Sequence, residues 1–141
     1  ILRAVSFSAQ EAIMNNVQIR SSCIAVIVLL LASGQALAEK YLTADEVKSL
    51  VVGNTMHAEH LTRDFAFTVY FDANGSTVYR KQFGETTKTF YKFKGDKHCI
   101  FWMEADRCAN ILDNGDGSYT RVNKNGKLIV KWSKVVEGKD L

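Results

Sequence analysis

From Asp64 onward, apolar residues recur at every second position, and turn residues interrupt them about every eight to twelve residues. In Asp64-Phe65-Ala66-Phe67-Thr68-Val69-Tyr70-Phe71, the side chains of Phe65, Phe67, Val69 and Phe71 share one face of an extended strand. Asp72-Ala73-Asn74-Gly75 carries an Asn-Gly turn signal and leads into a strand from Ser76 to Phe83, which Gly84-Glu85 breaks. The next strand, Thr87 to Lys94, sets Thr89, Tyr91 and Phe93 on one face and Lys88, Phe90, Lys92 and Lys94 on the other. Gly95-Asp96 turns the chain into two arms, His98 to Met103 and Arg107 to Leu112. Turns at 114–117 and 124–126 open Ser118 to Val122 and Lys127 to Ser133. With a short strand from Thr55 to His60, the pattern predicts about eight strands in a mainly β domain. Links this short favour an up-and-down antiparallel sheet or small barrel. No proline forbids pairing along any strand.

One helix precedes the strands. Thr43 and Glu46 form a capping box, Asp45 and Glu46 suit the positive end of the helix dipole, and Val47, Leu50 and Val51 make one apolar face. Gly53 stands where the helix should end.

Residues 1–38 have a different character. From Met14 a short polar stretch carries Arg20, an apolar run extends from Cys23 to about Ala32, and Ala36-Leu37-Ala38 is a small-x-small cleavage site. This is the three-part layout of a secretory signal peptide. The apolar run is about ten residues, short of the ~20 that a membrane-spanning helix needs. A retained anchor is the alternative. Residues 1–13 precede the initiator candidate Met14 and read as an upstream extension from a misplaced start, with a real amphipathic extension as the alternative. The expected organisation is therefore a leader over 1–38, helical and making few contacts with the rest, followed by one β-domain over 39–141.

Removing the leader also removes Cys23 and leaves two cysteines, Cys99 and Cys108. An even count in an exported domain predicts a disulfide, here between the two arms of one hairpin. Eight residues between the thiols do not match the CxxC spacing of a redox or metal pair. The mature segment holds 16 of the 18 basic and 14 of the 15 acidic residues, a formal charge of about +2 that implies no nucleic-acid partner.

Three blocks stand in a recognisable order: LTADEVKSLVVGN (Leu42 to Asn54), GDKHCIFWMEADRC (Gly95 to Cys108) and GDGSYTRVNKNGKLIVKW (Gly115 to Trp132). A signal peptide, a short capped helix, an aromatic β-region, a cysteine pair and a GDG turn follow one another. This order resembles a family of small exported proteobacterial proteins of unknown function. The resemblance implies a periplasmic or secreted β-domain and carries over no catalytic residue.

Candidate chemistry is sparse. His57 and His60, with Glu59, Asp64 and His98 as further ligands, are the most metal-like set. On a strand, however, His57 and His60 point to opposite faces, so no site with His98 is expected. No GxSxG motif is present, and a cystine cannot act as nucleophile. Arg80, Lys81, Lys88, Lys92, Lys94 and Lys97 fall close together among aromatic residues. Their outward sides are candidate contacts for an anionic surface, or simply solvate the strands. The expected function is a non-catalytic binding or accessory module of the cell envelope, without a cofactor. Its partner would be an envelope protein, an anionic envelope polymer or a small apolar ligand, with membrane contact only through the leader. The alternatives are a membrane-tethered subunit that keeps its leader, and a metal-dependent activity through His57 and His60.

Overall fold

The structure is a computed structural model that describes residues 39–141; the leader expectation for 1–38 lies outside the described residues. The elements run β1 (Lys40–Tyr41), α1 (Ala44–Val51), β2 (Asn54–His60), β3 (Phe65–Phe71), β4 (Thr77–Gln82), β5 (Glu85–Lys94), β6 (Lys97–Trp102), β7 (Ala105–Asp113), β8 (Tyr119–Val122) and β9 (Leu128–Glu137). Each strand from β2 to β9 pairs antiparallel with the next, and β9 returns to pair with β2. The result is a closed eight-stranded up-and-down barrel. Closure removes the open edges that would otherwise invite pairing with another chain. Bulges between His57 and Ala58 and between Arg121 and Val122 interrupt the register at β9, a device that bends strands into a barrel. The short β1 adds to the upper half of β7, opposite β8.

The period of two assigns the faces as expected. Val69, Phe71, Val78, Tyr91, Ile111 and Trp132 are buried in one cluster with Met56 and Ala58. Trp132, Phe71, Met56, Ile111 and His98 are all under 2 % exposed and occupy the middle of the barrel. An eight-stranded barrel is just wide enough for side chains to fill it, and here they do.

One end is sealed. The α1 helix has the expected capping box, with Thr43 and Glu46 each satisfying a backbone N–H of the other. Its Val47 and Val51 are fully buried in the barrel cluster. The Ala44 N–H donates to Asp96 in the β5–β6 turn, at 3.0 Å. The helix ends at Val51 with Val52 as its cap, and Gly53 follows as expected, with a left-handed φ of 79° and its N–H donated to Phe71. A side chain would be strained at that φ.

The other end holds the β2–β3, β4–β5, β6–β7 and β8–β9 connections. Two of these hairpins correct the expected strand ends. Gln82 pairs with Glu85, so the turn is Phe83–Gly84, one residue earlier than the Gly84-Glu85 break. Trp102 pairs with Ala105, so Met103 belongs to a turn with Glu104 rather than to β6. All four turn residues have positive φ, between 52° and 82°, the type I′ pattern that matches the twist of a hairpin.

Candidate functional site

The open end of the barrel carries the most unusual chemistry. Arg80 lies between Val78 and Gln82 on β4, and strand alternation gives it the inward parity of buried Val78. Its guanidinium carbon is 4.1 Å from the ring centre of Phe67, 4.6 Å from Trp102 and 5.7 Å from Phe65. These are cation–π distances. Its Nη2 donates to Gln82 Oε1 at 2.6 Å, while its Nε is buried and has no hydrogen-bond partner among the described residues. Among the described residues no carboxylate forms an ion pair with it. Burial, and the charge of Arg63, lower the Arg80 pKa.

The aromatic wall continues outward. Phe65 is 5.1 Å from the His60 ring and 6.4 Å from Phe83. The His60 ring Nδ1 lies 3.2 Å from the Thr62 hydroxyl. Burial lowers the His60 pKa, and Arg63, Arg80 and Lys127 lower it further. Four positively charged or chargeable groups thus converge on this end. Around them stand exposed apolar side chains: Leu61 on the β2–β3 loop, Phe83 and Met103 in the two hairpin turns, and Leu128 at the start of β9. Phe83 is 84 % exposed and Met103 69 %.

A second polar group lies deep inside. Arg121 and His98 are both buried, and His98 Nδ1 accepts a hydrogen bond from Arg121 Nη1. Arg121 Nη2 also donates to the carbonyls of Arg107, at 3.0 Å, and His98, at 3.3 Å. Phe71, Tyr91, Phe93 and Trp132 surround the imidazole at centroid distances of 4.8 to 6.0 Å. Burial and the Arg121 charge hold His98 well below its ordinary pKa of 6.5. Burial pushes Arg121 down to about 10, so it keeps its proton at neutral pH. His98 Nε2 is buried without a hydrogen-bond partner among the described residues.

The three histidines are dispersed. His57 faces outward, 3.4 Å from Asp140; His60 faces the open end; His98 sits in the core. No cluster of three metal-ligating side chains occurs among the described residues.

The basic stripe divides. Lys81, Lys88, Lys92, Lys94 and Lys97 are exposed, and strand alternation sets Lys81, Lys88, Lys92 and Lys94 on the outside of β4 and β5. Lys92 pairs with Asp106, and Lys88 lies over Tyr79. Arg80 does not join them, because it shares the inward parity of Val78.

Cys99 and Cys108 face each other across β6 and β7, with Cα atoms 3.9 Å apart, and are bonded. The pair is consistent with an oxidising, exported environment. Beside it an open groove of about 320 Å³ is lined by Phe90, Lys92, Phe101 and Asp106.

Sequence reasoning missed the inward role of Arg80 and the burial of Arg121. Parity held the signal in both cases: Val78-x-Arg80 and Tyr119-x-Arg121 continue an inward face with a charged residue. No protein-family model, curated protein or solved structure matches this chain.

Proposed function

We propose that this chain is an exported, non-catalytic binding module of the cell envelope that meets its ligand with the open end of the barrel. The rim carries the reading. Leu61, Phe83, Met103 and Leu128 expose apolar surface at one end, and Phe83 and Met103 do so from left-handed turn positions. A non-glycine residue there costs about 1–2 kcal/mol, and Asn-Gly or Asp-Gly would form the same turns with less strain. Large exposed side chains kept at strained positions are a mark of function. The packed interior directs recognition to the rim, not to an internal cavity. The disulfide supports residence in the periplasm or outside the cell, and so does the resemblance to small exported proteobacterial proteins. A tethered subunit that keeps its leader would use the same rim.

Native mass spectrometry of the protein exported by its own cells tests this. The expected result is a chain cleaved after Ala38 that carries a ligand. The Phe83→Asn, Met103→Asn double variant should lose that ligand while remaining folded. A folded double variant with undiminished ligand would overturn the rim assignment. A chain that retains residues 14–38 would favour the tethered form.

A further inference from the structure

The rim has an ionic centre as well as an apolar edge. We propose that Arg80 is the anion-binding residue of this module, and that its ligand is a single-chain amphiphile with an oxyanion head, of the fatty-acid class. The inference rests on the binding-module reading and adds the chemistry of the ligand.

Four observations converge. Among the described residues, Arg80 has aromatic rings as neighbours and one neutral side-chain acceptor, the amide oxygen of Gln82. The edge of a guanidinium formed by Nε and Nη2 matches the two oxygens of a carboxylate. Here Gln82 engages the Nη2 end of that edge, and Nε has no partner among the described residues. A carboxylate that displaces Gln82 would satisfy both donors and neutralise a half-buried charge. Next, Arg63, Arg80 and Lys127 all act on His60, and Arg63 also acts on Arg80, so positive charge gathers at this end and favours an anion. Third, Phe65 connects Arg80 to the exposed Phe83 through ring contacts, and Leu61 and Met103 lie on the neighbouring loops. Apolar surface therefore begins where the charge ends. Finally, Trp132, Phe71 and Met56 fill the barrel below. The ligand must enter head first, with its chain lying outward across the rim.

A polymer with repeating charges would meet the exposed lysines on the outside of β4 and β5, whereas at the open end the buried donor left without a hydrogen-bond partner among the described residues is the recessed Arg80 guanidinium. One anionic head with an apolar chain fits that arrangement.

The test uses the purified chain with sodium dodecanoate below its micelle concentration, followed by calorimetry and by the fluorescence of Trp102, which lies half-buried at the site. One dodecanoate per chain is expected to bind. Dodecanol, with the same chain and no charge, should bind about tenfold more weakly or worse, because it lacks the charge-assisted hydrogen bonds. Arg80→Gln should weaken dodecanoate by about tenfold or more and leave dodecanol unchanged. Arg80→Lys should bind with intermediate strength. The comparison of the two ligands on the unaltered chain does not depend on any variant folding. Equal affinity for dodecanoate and dodecanol would overturn the proposal. So would Arg80-dependent binding to phosphatidylglycerol vesicles without binding of monomeric dodecanoate, which would assign the site to a bilayer surface. If dodecanoate fails while the exported chain still carries a ligand that depends on Phe83 and Met103, this inference falls and the binding-module reading stands. If neither holds, both fall.

Discussion

Arg121 donates a hydrogen bond to His98 inside the barrel, and among the described residues no carboxylate forms an ion pair with either. The charge is held by a neutral imidazole, two backbone carbonyls and the face of Trp132, 5.8 Å away. A buried charge is tolerated only while its donors are occupied. His98→Leu removes the imidazole acceptor and leaves the guanidinium in place, so it should destabilise the fold by about 2–4 kcal/mol. Replacing both residues, His98→Leu with Arg121→Met, removes the charge together with its acceptor and should destabilise less than His98→Leu alone. Urea denaturation of the three variants measures the coupling.

The same pair makes stability depend on pH. The folded pKa of His98 lies well below 6.5. Below about pH 6.5 the unfolded chain therefore takes up a proton that the folded chain refuses. Stability should be level above that pH and fall as the pH drops, by up to about 1.4 kcal/mol per pH unit from this one group. His60 is shifted in the same direction and adds to the slope. Urea midpoints at pH 7.5 and 5.5 test this. The His98→Leu, Arg121→Met variant should show a shallower loss, and an unchanged loss would mean that other groups cause it.

The disulfide closes a short loop within one hairpin, between residues 99 and 108. For a loop of about ten residues the chain-entropy model gives roughly 2–3 kcal/mol of stabilisation. Reductant should lower the urea midpoint accordingly without abolishing the fold, because β6 and β7 also pair with β5 and β8. Alkylation of the denatured, unreduced protein should find no free thiol at Cys99 or Cys108.

The hairpin turns separate stability from binding. Phe83 and Met103 have φ of 52° and little burial. Asparagine tolerates that backbone better than either residue. Phe83→Asn and Met103→Asn should each leave thermal stability unchanged or raise it, by up to about 1 kcal/mol, while dodecanoate binding declines. A large loss of stability would show that these side chains serve the fold.

Much of the domain is legible in the linear pattern because strand alternation is local physics. Phe65, Phe67, Val69 and Phe71 point inward in the barrel as their spacing requires. Thr43 and Glu46 cap α1 because a capping box needs only residues three apart. The cysteine pair follows from count and spacing, since the two arms of one hairpin must lie side by side. The turn positions were less legible. Phe83 and Met103 are not turn-forming types, and only the pairing of Gln82 with Glu85 and of Trp102 with Ala105 places them at the tips.

The sequence by itself determined the eight barrel strands, their apolar faces, the capped helix and the cysteine pair, because each depends on residues near one another along the chain. Closure of β9 onto β2, and the sealing of one end by α1, were decided only by the tertiary structure. So was the composition of the open end. Arg80, Phe65 and Trp102 come from three strands and converge only when the sheet curls into a barrel. Arg121 and His98, 23 residues apart, meet for the same reason. Side-chain parity says which way a residue points. Closure of the sheet decides what it meets there.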